Sequence, residues 1–209
     1  MTRFGPAAWN LEPPAVTALM EKLKAKGVPL KEFAGVVPLY GIKTGFNDAY
    51  LIGTPTKAKL VSAEPESEPL FRPYLRGQDI DRWHADGAGL WMIAMKSSGN
   101  QNWPWAGKPD SEAEATFRRT YPALYAHFDG YRKELTKRQD QGQYWWELRA
   151  CAYWDRFDAQ KVMYQDITWN QQFCLDRGGR LCNNTVYFLP TDDLWTLACL
   201  NAPVSWWYA

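Results

Sequence analysis

Metal-binding side chains are scarce in this chain. Across 209 residues there are 2 histidines, His84 and His127, and 4 cysteines, Cys151, Cys174, Cys182 and Cys199. No two cysteines form a Cys-x-x-Cys pair, which excludes a zinc module of recognised ligand spacing. The same cysteines read as reduced thiols, and a cytoplasmic location is expected. No apolar run nears the roughly 18 residues that span a membrane, and residues 1–30 lack the apolar segment and cleavage site of a signal peptide. A charge excess is missing as well: 24 Lys+Arg against 23 Asp+Glu leave a formal net charge of +1. Free-standing nucleic-acid binders usually carry more positive charge, so any phosphate-binding charge must be concentrated on one face or supplemented by a partner. Nor is there a cluster of acids with a lysine that could hold a metal at a scissile phosphate, or a Ser/His/Asp set. His84 falls in a polar turn and His127 on a helix, and both read as structural or solvated.

Aromatic residues are plentiful, with 12 Trp, 11 Tyr and 9 Phe. Tryptophan is large and carries one N–H in need of a partner, so it favours core edges and recognition surfaces. The densest stretch, residues 143–166, sets Tyr144, Trp145, Trp146, Tyr153, Trp154 and Phe157 among Arg149, Arg156 and Lys161. Rings beside guanidinium groups can stack on bases, hold phosphates, or build a core with a charged rim. Packing is the favoured reading for Trp145 and Trp146, since two adjacent rings on a helix cannot face the same side. The rest of the composition, 46% hydrophobic and 22% charged, is that of a globular chain long enough for a core.

The elements mix helices and strands without regular alternation. Residues 13–27 predict a leading helix, with Val16, Leu19, Met20 and Leu23 on one face, Pro near its first turn and Gly27 as its cap. Residues 28–40 read as the approach to a strand, and 41–48 as a glycine-punctuated turn running into a strand at 49–52. Residues 55–68, interrupted by Pro65 and Pro69, read as a surface loop or weak hairpin. A short helix broken at Gly77 is expected within 71–83, a strand at 90–95, and a long polar loop over 96–110. Helices follow from 111 and, after Pro122, through 137. Strands are predicted at 161–167, 171–175 and 186–189, and a C-terminal helix within 192–208. The fold class is α+β (irregular α/β), a mixed sheet with flanking helices in one domain over 1–209. The apolar finish, Val204-Ser-Trp-Trp-Tyr-Ala209, reads as the cut edge of a longer polypeptide.

Three places offer binding chemistry. In Gly41-Ile-Lys-Thr-Gly45, two glycines allow close backbone approach to a phosphate, with Lys43, Thr44 and nearby Asn47 adding donors. The same turn also reads as a plain hairpin connection. Arg76-Gly-Gln-Asp79 places a forked donor beside an amide, so Arg76 and Gln78 could meet base edges. An Arg76–Asp79 pair that fixes the local fold is the favoured reading. The 96–108 loop supplies Lys96, Asn100, Gln101, Asn102 and Trp103 as reachers. Arg118, Arg119, Arg132, Lys133, Lys137 and Arg138 form either a solvated helix face or a phosphate-tracking stripe.

These pieces occur in one order: Trp9-Asn-Leu11, Gly27-Val-Pro-Leu30, Gly41-Ile-Lys-Thr-Gly45 with Asn47 and Ala49, Pro73-Tyr-Leu-Arg-Gly-Gln-Asp-Ile80, and Tyr121-Pro-Ala-Leu-Tyr125. Tyr144-Trp-Trp-Glu-Leu-Arg149, Lys161-Val-Met-Tyr164, Asn183-Asn-Thr-Val186 and Leu200-Asn201 follow. The series resembles the specificity (target-recognition) domain of restriction-modification DNA adenine methyltransferases of the TaqI and Eco57I kind, over almost the whole chain. The resemblance implies double-stranded DNA as partner, a methyltransferase domain elsewhere in the same parent chain, and N6-adenine methylation with base flipping by that parent, in restriction-modification or phage defence. S-adenosylmethionine would belong to the catalytic domain, because its glycine-rich loop and the Asn-Pro-Pro-Tyr-type motif are missing here. Base-reading residues would then lie in loops, above all 96–108. A carbohydrate-binding module, with exposed tryptophans stacked on sugar rings, is the rival reading of the composition.

Overall fold

The computed structural model describes residues 12–208, so the Trp9-Asn-Leu11 segment lies outside the described residues. The strands are β1 (Leu39–Tyr40), β2 (Leu51–Gly53), β3 (Phe71–Leu75), β4 (Leu90–Ile93), β5 (Lys161–Gln165), β6 (Phe173–Asp176), β7 (Leu181–Cys182) and β8 (Val186–Leu189). They form two four-stranded sheets, ordered β1-β8-β5-β6 and β2-β4-β3-β7. The first is antiparallel throughout; the second is mixed, with β3 and β7 paired in parallel at Tyr74↔Leu181 and Leu75↔Cys182. The α+β arrangement expected from the sequence is present.

Strand β5 shows why the first sheet is buried on both faces. Val162 lies opposite Leu175 and Leu189 and packs with Leu197 in a small cluster, while its neighbour Met163 faces Cys174 and Phe188 in the main core. Alternation sends successive side chains to opposite faces, and here both faces are covered. Lys161 is also buried, its ammonium bonded to Asp176 at 2.5 Å and to the Phe157 carbonyl at 2.8 Å.

The helices are α1 (Pro14–Lys26), α2 (Leu30–Ala34), α3 (Asn47–Tyr50), α4 (Thr54–Ala63), α5 (Asp110–Thr120), α6 (Pro122–Asp129), α7 (Arg132–Leu135), α8 (Leu194–Leu200) and α9 (Pro203–Tyr208). Helix α5 buries Ala113, Thr116 and Phe117 at i, i+3, i+4. Phe117 stacks on Trp146 at 5.0 Å, and Trp146 stacks on Tyr144 at 5.0 Å. Each such pair adds about 0.5–1.5 kcal/mol beyond area burial. The Trp-Trp run is core, as favoured, although its backbone is a turn and not a helix.

Several expectations fail for physical reasons. Residues 54–63 are helical, not a loop, because Pro55 occupies the first turn, where its missing N–H costs nothing. The buried Glu64 carboxylate then accepts from Ala123 N and Leu124 N, satisfying orphan donors at the start of α6. The expected helix at 71–83 is strand β3 followed by a 3-10 turn at Gly77–Asp79, since Phe71, Tyr74 and Leu75 are buried between β4 and β7. The strand approach at 28–40 contains α2, and residues 47–50 form a helical turn ahead of β2. The C-terminal helix breaks into α8 and α9 at Asn201, whose buried amide bonds both backbone groups of Phe173. Strand β7, only two residues long, was not anticipated.

Candidate nucleic-acid interface

The turn after β1 is strapped to the turn between β7 and β8. Gly41 N donates to Val186 O at 3.0 Å and Ile42 N to Cys182 O at 2.7 Å, and Ile42 pairs with Asn183. A Cβ at Gly41 would collide with the carbonyl oxygens of Cys182 and Asn183. The glycine expected to admit a phosphate therefore admits the protein's own backbone. Gly45 has φ +68°, the left-handed region that glycine adopts without strain.

A buried guanidinium sits behind this turn. Arg138 donates to the carbonyls of Thr44 at 2.6 Å, Asp140 at 2.9 Å, Trp145 at 2.9 Å and to that of Glu147. Burial draws its pKa below the ordinary arginine value. Its fork thus joins the 41–47 turn to the Trp-Trp run, which removes Arg138 from any phosphate stripe. Thr44 is only 4% exposed, and its hydroxyl donates to Asn47 Oδ1 at 2.6 Å. Lys43, Thr44, Asn47, Asp140 and Asn184 line an open depression of about 280 Å³. Lys43 has no ion-pair partner among the described residues. It also borders a second depression, about 190 Å³, with Arg149, Cys151 and Tyr153. Burial raises the Cys151 thiol above its ordinary pKa, so it is no ready nucleophile.

The 96–108 loop is tied to the same border. Asn100 Nδ2 donates to Cys151 O at 2.8 Å, and Asn100 Oδ1 accepts from Cys151 N at 2.9 Å. The fully buried Glu147 anchors the loop from below: Oε2 accepts from Ser98 N at 3.0 Å and Gln143 N at 2.9 Å, while Oε1 accepts from Ser98 Oγ and from Trp105 Nε1 at 3.0 Å. Lys96 rests 5.0 Å from the Trp154 ring centre. Trp103 turns inward: it is 5% exposed, stacks on Trp105 at 4.8 Å, and donates Nε1–H to Lys96 O. It supports the loop and offers no face to a base. Gln101 is half-buried and Asn102 exposed, and neither side chain holds a hydrogen bond among the described residues.

Arg76 forks onto Asp79, with Nη2–Oδ1 at 2.7 Å and Nε–Oδ2 at 3.1 Å. Burial acts to raise the Asp79 carboxyl, but the Arg76 bonds outweigh it and hold the pKa below the usual range. The local pairing reading therefore describes this segment, with Gln78 left exposed. Gly77 lies against Gln165 at the end of β5, where a Cβ would come within 2.9 Å of that side chain. Gln165 in turn faces Val186, and Asp166 N donates to Thr185 O at 3.0 Å. An edge runs from Cys151 and Arg149, which pairs with Asp140 at 3.1 Å, through Lys43 and Asn47 to Asn184; Gln165, which pairs with Val186, packs on Gly77 next to the exposed Gln78.

Arg118 and Arg119 do not join this edge. They line a separate depression of about 640 Å³ with Ser111, Glu114 and Tyr125. Arg132 is engaged by Glu114 and Asp129 and lies 4.3 Å from the Trp145 ring centre. The sequence reading missed Arg149 and Asn184 as edge residues, although both stood in recognised segments. Among the described residues no group of His, Cys, Asp and Glu could hold a metal ion, and no helix is long and apolar enough to cross a membrane.

No protein-family description matches the chain. No curated protein matches it either. Among solved structures, it is similar to the type IIL restriction-modification enzyme MmeI in complex with DNA, with a TM-score of 0.55, 14% identity, and coverage of 80% of this chain and 21% of that one. The chain thus spans about a fifth of that enzyme's length. What the two share is the fold.

Proposed function

We propose that this chain is a target-recognition unit that reads double-stranded DNA within a restriction-modification enzyme. The carrying observation is the set of cationic and amide side chains Lys43, Asn47, Asn184 and Arg149, the last paired with Asp140, lining two depressions that meet at Lys43, on a fold shared with part of MmeI. Amides match the donor–acceptor pattern of adenine, and guanidinium and ammonium groups match guanine or phosphate. Methylation of adenine would fall to a methyltransferase domain of the same parent chain, which would also hold S-adenosylmethionine.

The test is a titration of labelled duplex at two salt concentrations. Affinity should fall steeply with salt, and Lys43→Ala and Arg149→Ala should each reduce the logarithmic salt slope by about 0.9 if each neutralises one phosphate. Salt-independent binding, or a full-length parent with neither DNA affinity nor methylation, rejects the reading.

A further inference from the structure

The hairpin between β5 and β6 carries the two most exposed large apolar side chains among the described residues, Ile167 at 82% and Trp169 at 93%. None of the described residues covers them, yet their backbone is firmly held. The single Thr168 hydroxyl proton is shared between Asn170 O at 2.8 Å and Gln172 Oε1 at 2.9 Å. Gln171 Nε2 donates to the carbonyls of Leu200 and Ala202, and Gln172 Nε2 to Asp81 Oδ1 at 3.3 Å. Asn201 clasps Phe173 at the hairpin's return. An anchored tip presenting a naked indole is built to insert into something. The hairpin begins at the end of β5, where Gln165 pairs with Val186 and Asp166 N donates to Thr185 O, next in sequence to Asn184 of the edge described above. The apolar pair stands between polar residues, Asp166, Thr168 and Asn170, and so offers single side chains in place of the broad patch a protein partner requires.

We infer that Ile167 and Trp169 form an apolar wedge that enters duplex DNA and stacks against an unstacked base beside the recognised sequence. The inference rests on the DNA-recognition reading. Such wedges open a base step and are repaid by stacking and by the protein surface the deformed duplex can then reach. An indole accepts any base, so the wedge would add affinity and a preference for deformable steps, leaving base identity to the amide edge.

The experiment compares the full chain with Trp169→Ala, Trp169→Phe and Lys43→Ala on a labelled duplex and on the same duplex with one abasic position. Trp169 makes no packing contact that folding needs, so its variants should fold. Trp169→Ala should weaken duplex binding about tenfold, with Trp169→Phe recovering most of the loss. The salt slope should stay unchanged in Trp169→Ala, because no phosphate contact is removed. The unaltered chain should prefer the abasic duplex, where unstacking is already done, and Trp169→Ala should erase that preference. If Trp169→Ala matches the unaltered chain on both duplexes while Lys43→Ala is weakened, the wedge is refuted and the DNA reading stands. If the unaltered chain shows no salt-dependent duplex binding, both fall.

Discussion

Replacing Glu147 by glutamine tests how the candidate edge is supported. The carboxylate is fully buried and meets four donors, two on each oxygen. Glutamine keeps the volume but turns one acceptor into a donor. If the NH2 replaces Oε2, two backbone N–H groups, Ser98 and Gln143, lose their acceptor and cannot rotate away. If it replaces Oε1, the Ser98 hydroxyl can reverse and accept, and only Trp105 Nε1–H is stranded. The second arrangement should win, at the cost of one unsatisfied buried donor plus the weakening of charge-assisted bonds, about 2 kcal/mol in all. With a urea dependence of about 2 kcal/mol/M, the unfolding midpoint should fall by about 1 M. Glu147→Ala strands all the donors that cannot find another partner and should cost about 4 kcal/mol or more. Urea denaturation followed by tryptophan fluorescence reads both, because Trp105 and Trp146 lie beside the site. A Glu147→Gln midpoint within about 0.25 M of the unaltered protein, about 0.5 kcal/mol, would refute the reasoning, since the network would then not need an acceptor at both oxygens.

Two further outcomes follow from buried charge. Lys161→Met leaves Asp176 still bonded by Gly178 N, Arg180 N and the Arg180 guanidinium, so it should cost about 3 kcal/mol; Asp176→Leu strands an ammonium with only the Phe157 carbonyl and should cost about 5 kcal/mol, both by denaturant titration. Burial lowers the His127 pKa against the opposing effect of its 2.8 Å contact with Ala49 O. The unfolded chain therefore binds the proton more readily, and stability should decline as pH drops below about 6.5 until the folded-state pKa is passed. Thermal melts across that window should show the decline, and His127→Gln should remove its share.

The helices after residue 110 were legible because their signals are local, above all Pro122 at a helix start with an apolar face following it. Strands β3 and β7 were not, because they exist through pairing with each other across a long stretch of chain. Prolines misled where position overrode type: Pro55 begins a helix that composition had assigned to a loop. At the candidate edge, residue chemistry was readable and direction was not. Trp103 and Arg138 carry the right groups for DNA, but whether a side chain faces out depends on partners such as Trp105, or the four converging carbonyls, that no local pattern announces.

The strap between Gly41–Ile42 and the β7–β8 turn has a consequence for biosynthesis. Residues 41–47 are translated more than a hundred residues before the segment that clamps them. On the ribosome this turn therefore cannot take its final geometry until residues 181–186 have left the exit tunnel, so the Lys43 depression is among the last features of these residues to form.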